Sequence, residues 1–548
     1  MRKTYSRREM LSLTSKAVIA GAFLPRVSLA APQKPSTTSS GVVTGDPTGN
    51  EVGNKVLAQG GNAIDAVIAA ALATCVVAES KCGAGGYGGH MTIALAGGKK
   101  VTSIDFNSVA PAAGREDMFT LEKNGKVRGY ANSRGWLAAG VPGTLAGMQL
   151  ALDRYGTKSF RELAAPAIAL ARDGFPLSES MANAIRSNVS NLKMFPGSAQ
   201  LFLKEGEPYK AGETFRNPDL AKMFETLAER NSVESFYRGD IAEKIAAEFK
   251  KNGGILTAED LASYKACEVK PLELKWNDFT IYTAPLTAGG LSVLQVMAIL
   301  KALDWGKLPT GITRSHARLE ALRVAWRDRL ALLGDPEKVK VPIDHLLSGS
   351  YAKKVAEDVK HAVKAKKPLS LDTKKELDDG TMNLSSVDRH GNMVAMTLTQ
   401  GGAFGSKVTV EGLGVVLGHG MSRFEPQPGH PNSVAPGKRP LHNMCPTVVL
   451  RKGKPVMAVG AAGGRMIPNS IFDVLTNYVA LGKTMEESVA APRWNSEGDM
   501  NLKLERAWPE AEAEFFKSLG YKVDFGKGAY VSAVSFDPKT GEGRGAER

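Results

Sequence analysis

Near residue 381 the chain changes its period. From residue 160 to 333 apolar residues recur mostly at helical spacing, whereas residues 384–399 and 447–459 alternate like paired strands. The turns inside the alternating runs are Arg389-His390-Gly391-Asn392 and Arg451-Lys452-Gly453-Lys454. A helical part followed by hairpins buries its apolar stripes against the sheet it precedes. The expected architecture is therefore α+β, with helices layered on sheet, and no internal repeat divides it.

Local signals refine this reading. Residues 52–78 carry helical spacing interrupted by Gly60-Gly61, and Asn62 is placed to cap a helix over 63–77. Thr257-Ala258-Glu259-Asp260 opens another helix. Residues 351–376, rich in lysine and containing Pro368, have the composition of an exposed segment, and residues 32–40 that of a linker. Gly83-Ala84-Gly85-Gly86-Tyr87-Gly88-Gly89 spells a dinucleotide fingerprint, but a helix precedes it and a strand-like run from His90 to Leu95 follows. The fingerprint requires the reverse order, so the segment reads as a tight turn bringing backbone close to a site. Gly460-Ala461-Ala462-Gly463-Gly464 leads into a helix over 469–481.

Residues 1–30 read as an export signal: Arg2, Lys3, Arg7 and Arg8 are followed by a mildly apolar stretch and by Ser28-Leu29-Ala30. The run Ser6-Arg7-Arg8-Glu9-Met10-Leu11 is of twin-arginine type. The apolar stretch is too short to remain as a stable membrane anchor, and cleavage is expected after Ala30. The formal charge of the 548-residue chain is +14. Residues 1–30 hold six basic residues and one acidic residue, so +9 remains once they are removed. That remainder forms no stripe of basic and aromatic residues, and runs such as Lys364-Ala365-Lys366-Lys367 read as solvated faces, so no nucleic-acid partner is expected. Cys75, Cys82, Cys267 and Cys445 fit no metal spacing and read as buried free thiols, although export would permit disulfides. His419, His430 and His442 suit no zinc motif. No metal and no cofactor are expected.

Nucleophile-elbow, S-x-x-K, H-E-x-x-H and Walker sequences are absent. What remains is Thr381, after a polar stretch and before strands. The chain here resembles the γ-glutamyltransferase family of N-terminal-nucleophile hydrolases. The likeness rests on Gly60-Gly61-Asn62-Ala63-Ile64-Asp65-Ala66, the 82–89 turn, Ala139-Gly140-Val141-Pro142-Gly143-Thr144 and Phe236-Tyr237-Arg238-Gly239. Gly253-Gly254-Ile255-Leu256-Thr257, Lys438-Arg439-Pro440-Leu441 and Gly463-Gly464 follow in order. The resemblance implies an αββα sandwich built jointly by two chains, which form by self-cleavage before Thr381 and stay associated. They would be a large chain, 31–380, and a small chain, 381–548. A free α-amino group on Thr381 would supply the base that a hydroxyl nucleophile needs. The family also implies an orienting hydroxyl at Thr399, which read alone is equally a β-branched strand residue, and oxyanion donors at Gly463 and Gly464.

The positions that grip a γ-glutamyl group in the family differ. The carboxylate-binding arginine falls at Asn107, with Arg115 a conceivable substitute, and its two assisting serines fall at His442 and Asn443. The three groups receiving the α-amino group fall at Gly401, Gly420 and Arg423. Arg423 would repel an ammonium, or it serves as a surface ion-pair partner. The glycines are expected to open room for an anionic or bulkier acyl group. Residues 424–438 are shorter than the lid-bearing loop, which favours water as acceptor. The resulting expectation is an exported amidohydrolase acting on a small amide. The alternatives are γ-glutamyl hydrolysis or transfer, and an unprocessed binding homologue.

Overall fold

The computed structural model describes residues 36–38, 41–371 and 381–548. The expected signal, the residue 380–381 bond and the end of the lysine-rich stretch lie outside the described residues. Thirteen strands of the described residues build two sheets. In chain order the first seven are β1 (Ser36–Thr38), β2 (Gly41–Thr44), β3 (Gly88–Ala94), β4 (Val101–Asp105), β5 (Cys267–Val269), β6 (Leu272–Trp276) and β7 (Phe279–Thr283). The rest are β8 (Met382–Asp388), β9 (Met393–Thr399), β10 (Thr447–Arg451), β11 (Lys454–Ala462), β12 (Tyr530–Asp537) and β13 (Glu542–Glu547). One sheet runs β2-β8-β9-β3-β4-β5 and the other β1-β13-β12-β11-β10-β7-β6.

The sheets meet face to face. Val42, Val387 and Ala395 of the first pack with Val448, Ala458 and Val534 of the second in a shared core. On the outer face of the first sheet lie α1 (Pro47–Ala58), α2 (Ala63–Val77) and α3 (Thr144–Tyr155), with α4 (Phe160–Asp173) against α2. The second sheet is covered by α5 (Gly290–Ala302), α6 (Ile312–Leu332), α7 (Gly349–Ala365) and α8 (Met466–Leu475). The result is the expected α+β class in its helix–sheet–sheet–helix form.

Every residue of α2 is buried, which explains why its sequence is apolar all round. Its start is fixed as expected: the Asn62 side chain accepts from Ile64 and Asp65 N–H at 2.9 and 3.0 Å. Asp65 returns the bond to Asn62 N–H at 2.9 Å and also accepts from the N–H groups of Thr157 (2.8 Å) and Lys158 (3.1 Å). Ala63 N–H reaches the Asp388 carboxylate of β8 at 3.1 Å, so cap, helix and sheet are tied together. Asp65→Ala would remove the buried acceptor shared by these part-buried donors and is expected to cost about 2 kcal/mol in urea unfolding.

Three local expectations need correction. The helical reading of 160–333 passes over β5, β6 and β7; Leu272, Leu274 and Trp276 do alternate at period two, but in a strand too short to stand out between helices. Part of the lysine-rich stretch is α7, whose Ala352, Val355, Ala356, Val359 and Ala362 are buried; exposed lysines hide an apolar stripe at helical spacing. Within the supposed linker, β1 pairs antiparallel with β13. Cys75, Cys82 and Cys445 are buried free thiols, but Cys267 is partly exposed. Among the described residues no helix is long and apolar enough to cross a membrane.

Candidate functional site

The register of β8 and β9 sets the centre of the site. Met382 pairs with Leu398, which places Thr381 across from Thr399 at the mouth of the sheet. Their hydroxyl oxygens are 3.3 Å apart. Gly401 N–H donates to Thr399 Oγ1 at 2.8 Å, which occupies one lone pair and restricts where that hydroxyl can point.

The second sheet brings the glycine pair. Strand β11 lies over β8 with Gly460 against Asn383, where a Cβ would come within 1.9 Å of the Asn383 side-chain amide. Three residues on, Gly463 and Gly464 adopt φ of 141° and 57°, backbone that favours glycine. Their carbonyls accept from Met466 and Ile467 N–H, both at 3.1 Å, as α8 begins. A helix N-terminus carries positive potential suited to a developing anion.

Asn107, His442 and Asn443 come together, but much of their hydrogen-bonding capacity holds the wall itself. Buried Asn107 donates through Nδ2 to Thr287 Oγ1 (2.8 Å) and the Pro440 carbonyl (2.7 Å). His442 N–H donates to the Thr287 carbonyl at 3.1 Å, and its ring lies against His90 with Nε2 and Nδ1 3.1 Å apart. The Arg329 guanidinium, from α6, donates to the His442 carbonyl at 2.7 Å and Asn443 Oδ1 at 3.2 Å. Thr287 and Arg329 were not legible as site-wall residues, because nothing in a helical run marks one arginine from its neighbours. Arg115 is not a substitute: it is exposed and pairs with Asp117 at 3.2 Å.

The expected room at Gly401 and Gly420 is also corrected. A Cβ on Gly401 would lie 2.6 Å from His419 Nε2, and one on Gly420 would lie 2.3 Å from Ser108 Oγ. Neighbouring side chains have moved into the volume that the missing ones would fill, as close packing requires. Arg423 ends the short turn Gly420–Arg423, half-buried, with Nε 3.4 Å from Ser422 Oγ. Its charge acts on Tyr87 and on His442.

Three buried histidines are held neutral. Burial pushes His419 down to about 3, aided by the Lys407 cation. Burial also drives His442 well below its usual range, reinforced by His90, Arg329 and Arg423, and lowers His90 against the pull of Asp105. A histidine with a depressed folded pKa gives full stability above its unfolded value near 6.5 and loses it as pH falls towards the folded value. Buried Glu79, raised to about 8 by burial, opposes this: protonated in the fold, it favours folding as pH falls from 8 towards its unfolded value near 4.5. Three histidines outweigh one carboxyl between pH 6.5 and 4.5. The midpoint of thermal unfolding should therefore drop from pH 6.5 to pH 5, with up to about 1.4 kcal/mol per pH unit from each histidine, partly offset by Glu79; a flat profile would contradict the neutral assignments.

No group of three or more His, Cys, Asp or Glu side chains among the described residues is arranged to hold a metal ion.

Two facing sheets between helix layers, with a hydroxyl pair at the mouth of one and a glycine turn ending β11 of the other, are the features of the N-terminal-nucleophile hydrolase fold. The cephalosporin acylase from Bacillus halodurans shares it with a TM-score of 0.84 at 26% identity, over 96% of this chain and 97% of that one. The family model for gamma-glutamyltranspeptidase matches residues 49–548, and the chain belongs to that family. It is 36% identical over 500 residues to the glutathione hydrolase proenzyme of Escherichia coli, covering 88% of this chain and 85% of that one. It is also 32% identical over 534 residues to the acylase ACY 1 proenzyme of Pseudomonas sp. (strain V22), covering 94% and 93%. The protein is thus an enzyme, an amidohydrolase or acylase of this family.

Proposed function

We propose that the protein is an exported, self-processing amidohydrolase whose nucleophile is Thr381 and whose preferred acyl group lacks an α-ammonium. The observation that carries the reading is the Thr381–Thr399 hydroxyl pair, 3.3 Å apart at the start of β8. Cleavage of the 380–381 bond frees the Thr381 α-amino group, which takes the hydroxyl proton as Oγ1 attacks the substrate carbonyl. The oxyanion is received by the Gly463 and Gly464 N–H groups beside the start of α8. Collapse expels the amine with its proton and leaves an ester on Thr381. Water then releases the acid and restores the nucleophile. The large and small chains stay associated because their strands alternate within both sheets, β8 and β9 lying between β2 and β3.

The specificity argument rests on three contacts. Arg423 stands where an ammonium would be received, and like charges repel. Both Asn107 Nδ2 bonds go to Thr287 and Pro440, and the His419 ring fills the space beside Gly401. A second reading, γ-glutamyl hydrolysis, is favoured by the 36% identity to a glutathione hydrolase proenzyme. A denaturing gel of the purified protein, with N-terminal sequencing of its bands, tests the common ground. A smaller band starting Thr381-Met382-Asn383 is expected, and a persistent single full-length band would overturn both readings. Anilides then separate them. An anilide of a simple carboxylic acid should turn over at least about tenfold faster than the γ-glutamyl anilide, a difference of about 1.4 kcal/mol. A preference for the γ-glutamyl compound would sink the specificity argument. Periplasmic or secreted localisation by the twin-arginine route belongs to the same proposal; substituting lysines for Arg7 and Arg8 should retain the precursor in the cytoplasm.

A further inference from the structure

We propose that His419 is a positioning residue for the nucleophile, acting through the 399–402 turn on Thr399. The inference rests on Thr381 being the nucleophile, as proposed above, and adds a residue to its machinery.

The contacts fix the tautomer of the ring. Ser422 Oγ donates its proton to the His419 carbonyl at 2.9 Å, so it can only accept from the ring, and His419 Nδ1 lies within hydrogen-bond reach of it. The ring therefore carries its proton on Nδ1 and presents Nε2 as an acceptor. Gly402 N–H donates to that Nε2. The neighbouring amide, Gly401 N–H, donates to Thr399 Oγ1 at 2.8 Å, and Thr399 Oγ1 lies 3.3 Å from Thr381 Oγ1. Two successive N–H groups of one turn thus point to two fixed acceptors, one on the histidine and one on the orienting threonine. If the ring were lost or flipped to its other tautomer, Gly402 N–H would lose its acceptor. The 401–402 peptide could then rotate, and through the shared Cα of Gly401 disturb the preceding 400–401 peptide, which carries Gly401 N–H.

The rest of the structure holds His419 as an anchor. Its N–H donates to the Gln400 carbonyl at 2.9 Å, and Gly418 N–H donates to the Gly85 carbonyl at 2.9 Å. The histidine is therefore fastened both to the turn it supports and to the glycine turn at 83–89. It is 6% exposed, and its ring occupies the position that a side chain on Gly401 would take. A glycine at 401 and a histidine at 419 fit as a complementary pair.

The test is a set of variants read by the rate of self-cleavage and by kcat for an anilide. His419→Leu keeps the bulk and removes the acceptor; it should slow both reactions about 10- to 100-fold, with KM changed less than about threefold. His419→Gln, whose side-chain oxygen can replace Nε2, should recover most of the rate. In a Thr399→Val background the His419→Leu substitution should add less than about twofold, because its effect runs through Thr399. An undiminished effect in that background, or His419→Gln as slow as His419→Leu, would overturn the proposal. Should His419→Leu not accumulate as folded protein, Ser422→Ala takes its place in the same cycle, since it keeps the ring and removes the hydroxyl that faces Nδ1 and ties to the His419 carbonyl. The wild-type protein is the control for the underlying reading: if it does not cleave before Thr381, that reading fails first. If it does cleave and the effects are additive, only the role of His419 fails.

Discussion

Thr381→Ala is expected to run as a single full-length chain and to lose amide hydrolysis by a factor on the order of 10⁶, as removal of a catalytic nucleophile does. In the proposed mechanism both losses follow from one atom, because the same Oγ1 would attack its own preceding carbonyl during maturation and the substrate carbonyl afterwards. The fold should survive. Thr381 is 8% exposed at the mouth of the sheet, and alanine removes a hydroxyl and a methyl without disturbing the β8–β9 ladder. Thr381→Ser is the informative companion: it keeps the hydroxyl and the α-amino group, so cleavage and turnover should persist at reduced rates. Cleavage retained in Thr381→Ala would show that the processing site lies elsewhere.

Gly463→Ala is expected to lower kcat about 10²- to 10³-fold, the usual loss when an oxyanion donor is displaced, with a smaller change in KM. Two strains act together. Gly463 sits at φ 141°, and a Cβ there would stand 3.0 Å from both Cα and Cβ of Ala529. The backbone must turn away, and with it the N–H groups proposed to receive the oxyanion. Gly453→Ala separates strain from catalysis. That glycine, in the β10–β11 hairpin, also has positive φ (78°) but has open space around it. It should lose about 1 kcal/mol of stability with kcat unchanged. If Gly463→Ala proved as active as Gly453→Ala, the oxyanion assignment would fall.

How far the sequence could be read depended on whether a feature was local. The cap at Asn62, the hairpins around residues 389–392 and 451–454, and the glycine turn before α8 are all written in adjacent residues, and all were legible. Helix α8 starts three residues earlier than its apolar pattern suggests, at Met466, because Gly463 and Gly464 accept its first bonds. β6 was missed because five residues of alternation carry little signal, and α7 because its buried stripe is hidden among lysines. Asn107, Gly401, Arg423 and His442 were identified as the divergent positions, but what they do there was not legible. Asn107 looked like a lost anion anchor and is a strap to Thr287 and Pro440. Gly401 looked like empty space and is covered by the ring of His419.

By itself, the sequence determined the α+β class, the threonine at the change of period, the glycine pair and the places where the family pattern breaks. Each of these depends on residues near one another in the chain or on motifs in a fixed order. Only the tertiary structure decided that Thr381 faces Thr399, that Gly460 lets β11 settle onto β8, and that His419 fills the gap beside Gly401. Those are contacts between segments distant in sequence or folded back on themselves. Close packing selects them, because in a dense interior the space left by one absent side chain is taken by a neighbour that only the fold brings there.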